Sequence, residues 1–482
     1  EEKYDDEGNE EQPADIAVVG AGPAGLRFAG TAAARGHRVT VYEAADTPGG
    51  GTRSAELFEP GVLHDICSFG HPFGAASPYF RSLGLDAHGL HWRNGEIELA
   101  HPIDGGDAGV IYRSLDETVA GMGDDGRAWR RSFRRIVERY DALAEDILGP
   151  LIGIPSHPIA MAGFGMQALQ PATFFARRWD GDAVRGMYAG VAAHSFRPLS
   201  SPLTAAAGSM FIGAAHAVGW PVAEGGSQAI ADALVAKLAS LGGSVETGRH
   251  ISSLAEIGPH RVALLDTSPG AAVGIVGDAM PARVRRAFQR WSYGPGSHKV
   301  DLVVDGGIPW TNEACRRSTT VHCGGTLEEV NAAETGLHRG QMPERPFVLV
   351  GQQYLADPGR SNGDHHPVHA YAHVPTGYSG ADATDALLGQ IERFAPGFRD
   401  RILHLSVRSA AEFEDYNPNY VGGDIAGGAN TPIQTVFRPR LALDPYRITD
   451  TTYLCSAATP PGAGVHGMGG YHAARSALRN LH

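Results

Sequence analysis

"DIAVVGAGPAGLRFAGTAAARGHRVTVYEA", residues 15–44, is the stretch whose reading decides the fold. Ile16–Val19 is a short, continuous apolar run, the pattern of a strand buried on both faces. Gly20, Gly22 and Gly25 follow as Gly-x-Gly-x-x-Gly, with Pro23 and Ala24 inside the motif. Ala24–Ala34 is alanine-rich and reads as a helix, Gly36 ends it, and Val39–Tyr42 reads as a second strand closed by Glu43. Each residue type has a physical reason. Gly20 permits a tight turn, Gly22 lets the backbone approach a diphosphate, and Gly25 allows close helix–strand packing. The helix start offers unpaired N–H groups to an anion. Glu43 stands where ribose hydroxyls would donate to it. The whole predicts a βαβ unit that binds a dinucleotide; an ordinary glycine turn in an α/β sheet is the weaker alternative.

Bulk properties bound the rest. A chain of 482 residues predicts two or three domains. A hydrophobic content of 43% with 19% charged residues indicates a packed globular protein. The net charge is -13; the first twelve residues carry seven acids and one lysine, -6, which leaves -7 for the remainder. That balance argues against a nucleic-acid partner. Residues 1–13 are expected to be a disordered acidic tail. Four cysteines without metal-finger spacing read as reduced thiols, and no signal-peptide pattern opens the sequence, so a cytoplasmic location is expected. The uncharged stretches 147–176 and 199–223 contain prolines and glycines and are poor membrane spans. They read as buried helices or as a surface that collects an apolar substrate or touches a membrane peripherally.

Beyond Glu43 lies "AADTPGGGTRSAEL", with Gly49, Gly50, Gly51, Thr52 and Arg53. A glycine run after the second strand resembles flavoenzymes of the glutathione-reductase and amine-oxidase type, which implies non-covalent FAD. No second Gly-x-Gly-x-x-Gly marks a nicotinamide domain. Together with "PGGGTRSAELFEPGVLHDICSFGHPFGAASP", "GWPVAEGGSQAIADAL", "YGPGSHKVDLVVDGGIPW", "ERFAPGFRDRIL", "NPNYVGGDI" and "YLCSAATPPGAGVHGMGGYHAA", the chain resembles bacterial phytoene-desaturase-like FAD-dependent oxidoreductases. The resemblance implies an α/β fold with an α+β substrate part. A Rossmann-like FAD domain would be assembled from residues 14–85, 222–286 and 436–482. A substrate domain with a mixed or antiparallel sheet would come from 86–221 and 287–435.

The same resemblance places Gly20, Gly22, Pro23, Ala24, Gly25, Glu43, Gly50, Gly51, Thr52, Arg53, Ile251, Ala457, Gly464, His466, Gly467 and Met468 at the cofactor. Stretch 226–254 reads as a helix, a glycine stop and a strand pair. Near the C-terminus, Tyr453–Ala457 is expected to rejoin the first sheet, and a helix starting near His466–Gly470 to aim N–H groups at the flavin.

Candidates for chemistry are Lys299, His71 and His466. Lys299, Asp301 and Val303 share one face of a predicted strand, and Val300, Leu302 and Val304 the other. Lys299, with Trp310 downstream, resembles the amine-oxidase lysine that holds a water at flavin N5; a strand lysine paired with Asp301 is the alternative. His71 and His466 stand near flavin by analogy, with packing and capping as the rival roles. Trp220, Tyr371, His373 and Asn417 are substrate-side candidates. His369, Tyr371 and His373 alternate onto one strand face, and no matched ligand set points to a metal. The function expected is desaturation of an apolar or carrier-bound polyene by hydride transfer to flavin, with oxygen or a quinone as final acceptor. Double-bond reduction or isomerisation, or a non-catalytic FAD-binding scaffold, are the alternatives.

Overall fold

In the computed structural model, residues 15–380, 382–479 and 481 are described. The expected acidic tail, 1–13, lies outside them. Ile16–Val19 forms a strand with no exposed side chain, flanked in parallel by Val39–Tyr42 on one edge and Val262–Leu265 on the other. Ser244–Glu246 extends the first edge and Thr452–Leu454 the second, giving a five-stranded parallel sheet in the order 452–454, 262–265, 16–19, 39–42, 244–246. Near-continuous apolar strands suit this position, because helices cover both sheet faces. Helix Pro23–Ala33, preceded by extended Gly22 and opened by Pro23, packs beside helices Gln228–Ser240 and Met468–Arg479.

The C-terminal strand stops at Leu454, three residues short of the predicted Ala457, because Ser456 and Thr459 already build the following turn. It rejoins the first sheet as expected, pairing in parallel with Val262–Leu265 at its edge. The predicted strand pair after Gly243 is only half present. Ser244–Glu246 is a strand, but Ser253 caps a short 3-10 turn downstream, and Ile251 serves the core beneath Val19 and Tyr42.

A second, mixed sheet has seven strands in the order 402–408, 296–305, 365–374, 348–351, 320–323, 99–102, 108–111. All its neighbours run antiparallel except 320–323 against 99–102. One face, with Val300, Leu302, Val304, Val368, Ala370 and Trp310, closes against helix Asp382–Phe394. The other carries Lys299, Asp301, His369, Tyr371 and His373 and faces the helices Asp182–Ala192 and Thr204–Ala217 and the segment around Asp65.

Candidate functional site

The first glycine loop is built to leave no room for side chains. Gly20 has φ +101, and a Cβ there would lie 2.7 Å from the carbonyl oxygen of Asp266. A Cβ on Gly50 would lie 3.3 Å from the Cα of Gly22, so the glycine run packs directly on the loop. Gly51 is roofed by the Tyr420 hydroxyl, and Tyr416 donates to the Gly50 carbonyl at 3.0 Å. Thr52 is buried and donates to the Gly49 carbonyl.

Glu43 closes the second strand and accepts from Ala21 N–H at 2.8 Å, Ala45 N–H at 2.9 Å and Arg53 at 3.1 Å. At the helix start, the Asp266 Oδ2 accepts from Gly25 N–H at 2.8 Å. Burial pushes the Asp266 carboxyl up to about 7; the Gly25 N–H pulls it down and the neighbouring Glu43 adds to the rise. The donors and shape of this cradle fit a dinucleotide diphosphate and ribose. Asp266 is the exception, and its proton decides how well an anion is tolerated there.

The C-terminal turn converges on the same helix. Gly470 touches the Ala24 carbonyl with no space for a Cβ, and Gly467 sits 3.2 Å from the Arg27 side chain by the same measure. Thus the starts of helices Pro23–Ala33 and Met468–Arg479 meet. Gly464 (φ +142) approaches Phe73 and the His466 ring. His466 is buried, its Nδ1 accepts from Met468 N–H at 3.1 Å, and its carbonyl accepts from Ser77. It therefore caps the last helix, and burial pulls its pKa down to about 4. The Ala457 carbonyl accepts from Arg438, whose other arm reaches Asn430 Oδ1 at 2.6 Å.

Lys299 is fully buried. Its Nζ donates to the carbonyl of Asp65 at 3.0 Å and forms an ion pair with Asp301. Burial lowers the ammonium pKa, and Asp301 opposes the shift. Lys299 is cross-strand from Tyr371, Asp301 from His369, and Ser297 from His373. His369 Nδ1 shares the Asp65 carbonyl at 3.3 Å. Trp310 lies on the opposite sheet face, donating to Gln352, so it does not stand beside Lys299.

His71 contacts the Ser227 hydroxyl through Nε2 at 2.8 Å, and its N–H donates to the Pro221 carbonyl. Burial pulls its pKa down to about 4. Trp220 stacks on Phe211 with centroids 5.2 Å apart, and its backbone N–H donates to buried Glu98 at 2.6 Å. His373 is fixed by Glu334 at 2.8 Å and lies tilted against Phe196, with ring centroids 4.1 Å apart; the Phe196 φ of +55 is strained for a bulky residue. Asn417 accepts from Asn419 N–H within its own turn, while Asn419 ties Asp266 and Ser268.

Four features were missed in the sequence. Asp266 ends an otherwise apolar strand, which is a weak signal. Glu98, the His194–His322 contact at 3.3 Å, and the buried Asp65–Arg360 pair join segments far apart in the chain, with no local pattern to reveal them. Among the described residues no group of three or more potential ligands is poised for a metal. All four cysteines are free and buried.

Comparisons with known proteins follow the same outline. Residues 18–83 match the NAD(P)-binding Rossmann-like domain. A metal reductase of Desulforamulus reducens is 59% identical over 39 residues, which is 8% of this chain and 6% of that protein's length. Among solved structures, an oxidoreductase from Methanosarcina mazei is 14% identical with a TM-score of 0.61, covering 96% of this chain and 99% of that one. Putrescine oxidase bound to putrescine is 17% identical with a TM-score of 0.58, covering 97% and 99%. Cyclohexylamine oxidase from Brevibacterium oxydans is 14% identical with a TM-score of 0.57, covering 97% and 98%. At such identities the likeness establishes the fold: an amine-oxidase-like α/β architecture containing a Rossmann-like dinucleotide-binding part.

Proposed function

We propose that the chain is an FAD-dependent oxidoreductase acting on an extended apolar substrate, in the manner of phytoene-desaturase-like dehydrogenases. The observation that carries this reading is the convergence of two glycine-led helix starts, at Pro23 and Met468, with Lys299 tied through the Asp65 carbonyl to the segment whose Cys67 and Ser68 pack on Gly51. The first would hold diphosphate and the second the redox end of one cofactor. Bound FAD would supply the two-electron acceptor for a C–H hydride, and loss of a proton from the neighbouring carbon would complete a new C=C.

The chain's own residues bind, orient and exclude water. Glu43 and the loop N–H groups would hold the ribose and diphosphate. Lys299, held by the Asp65 carbonyl and Asp301, would present an N–H donor beside the ring system. Trp220, Phe211 and Tyr371 belong to one apolar cluster and would supply apolar walls to a substrate. His71 and His466 are buried with pKa values lowered to about 4, so both are neutral at pH 7, and each has one ring nitrogen without a partner among the described residues. His71 Nδ1 would be the proton acceptor, because Ser227 donates onward to the Ser68 carbonyl and takes the Nε2–H; His466 Nδ1 already accepts from Met468 N–H, so its free Nε2 carries the proton and would donate. Reoxidation by oxygen or a quinone would close the cycle.

A second substrate class is an amine, favoured by the same fold occurring in putrescine oxidase and cyclohexylamine oxidase. Anaerobic mixing of the yellow holoprotein with a polyene, and separately with an aliphatic amine, decides. Bleaching by the polyene alone supports the proposal; bleaching by the amine alone transfers the reading to amine oxidation. No bleaching by either sinks the redox reading.

A further inference from the structure

Helix Pro158–Ala168 is apolar on both sides. Phe164 and Ala168 are buried toward helix Thr204–Ala217. Ile159, Ala162, Met166 and Leu169 recur on the opposite face, and all four are exposed, Ile159 by 78% and Met166 by 74%. A helix that is apolar all round belongs in a core or in lipid, and this one has a core on one side only. The preceding loop adds Ile154, 98% exposed. A second segment reaches the same surface: Leu151 and Ile152 share a cleft with Val436 and Leu443, and Leu443 is 97% exposed. Ile433 and Leu441 extend that strap.

Charge says what covers this face. The chain holds 53 acids in 482 residues, yet 147–179 and 425–443 hold none. Both carry arginines instead: Arg177 stands over the half-exposed Phe174, Arg178 follows it, and Arg440 flanks the cleft. Arg475 and Arg479 line the adjoining hollow beside Leu443, with Asp444 as the acid there. A second copy of the chain would bring like charges together across a two-fold axis. An anionic surface would not. The helix has 11 residues, about 16 Å, too short for a hydrocarbon layer of roughly 30 Å. No helix among the described residues is long and apolar enough to cross a membrane. Apolar residues flanked by Arg177, Arg440, Arg475 and Arg479, with Glu145 and Asp146 held to the helix start through His157, suit the headgroup boundary instead.

We infer that this face docks on an anionic lipid bilayer, with helix Pro158–Ala168 lying in the interface and the Leu151–Leu443 cleft opening toward the lipid. The docking surface stands apart from the redox reading, and its test uses no turnover.

Flotation of the full chain with vesicles of phosphatidylcholine alone, and of phosphatidylcholine with phosphatidylglycerol, tests it. The chain is expected to float with the anionic vesicles, to stay behind with the neutral ones, and to be released by salt. Ile159→Glu with Met166→Glu lowers the bound fraction about tenfold or more. Arg177→Gln with Arg479→Gln lowers it several-fold while the thermal midpoint holds. Equal flotation on both compositions overturns the anionic assignment. Flotation untouched by the glutamates overturns the surface assignment. A dimer dissolved by the glutamates, without flotation, assigns the face to a second copy.

Discussion

Lys299 and Asp301 share a buried site, so each substitution tests chemistry and stability together. Lys299→Met is expected to keep FAD but slow flavin reduction or reoxidation in rapid mixing; unchanged rates remove Lys299 from the site. The same change strands the Asp301 carboxylate, at a cost of about 3–5 kcal/mol. Adding Asp301→Asn regains part of that stability in thermal melts without regaining the rate. Asp266 behaves differently. Its carboxyl holds a proton up to about 7, so it becomes charged beside the diphosphate seat as pH rises through that value. Dinucleotide affinity is expected to weaken over that rise, and Asp266→Asn to bind about tenfold tighter above it, with a flat pH profile. Equal affinities by titration calorimetry would free Asp266 of this role. Glu43→Ala is expected to lose FAD on dialysis, partly because Ala21 and Ala45 N–H and Arg53 lose their acceptor.

At the level of elements, a buried ionic chain ties distant segments together. Asp65, on the strand before His71, accepts from Arg360 at 2.5 Å, from Ser227 N–H at 2.7 Å and from Ser54 at 2.7 Å. Arg360 also donates to Asp357 and to the Ala223 carbonyl. Burial raises the Asp65 pKa, but Arg360 and the Ser227 N–H outweigh it and hold the carboxyl at about 2. These bonds fasten the residues around Lys299 and His71 to the start of helix Gln228–Ser240. Asp65→Asn removes one charge and leaves the guanidinium undercompensated. Chemical denaturation should show a loss of about 3 kcal/mol, with the m-value unchanged.

At the scale of the whole molecule, several histidines among the described residues are buried and held neutral. His71, His101, His216 and His466 have pKa values pulled down by burial to about 4, and His322 and His369 lie well below the ordinary range for the same reason. A depressed imidazole pKa means the unfolded chain takes up protons first as pH falls below about 6.5. Each group then loses about 1.4 kcal/mol of stability per pH unit down to its folded value. Asp266 and Glu98 act the other way. Burial raises both to about 7, so each adds stability as pH falls from that value toward its unfolded pKa. With His194 held at about 3 and His472 at about 4 as well, and Asp424 also raised by burial, eight lowered histidines outweigh three raised carboxyls. The thermal midpoint should drop steeply between about pH 6 and pH 4.5; a midpoint flat across that range would mean the histidines are solvated.

The sequence by itself determined the βαβ unit, its glycine turns and acid, the alternating face of Lys299, Asp301, His369, Tyr371 and His373, and the uncharged stretch at 147–176. All of these are local periodicities of 2 or 3.6 or turn requirements written in adjacent residues. Only the tertiary structure decided that Lys299 is paired with Asp301 and bonded to the Asp65 carbonyl, that His466 caps the last helix, and that Asp266 sits in the anion cradle. It also decided that helix Pro158–Ala168 faces outward while helix Thr204–Ala217, equally apolar, is buried. Partner choice among buried polar groups, and which apolar face meets solvent, depend on segments hundreds of residues apart. Neither leaves a periodicity along the chain.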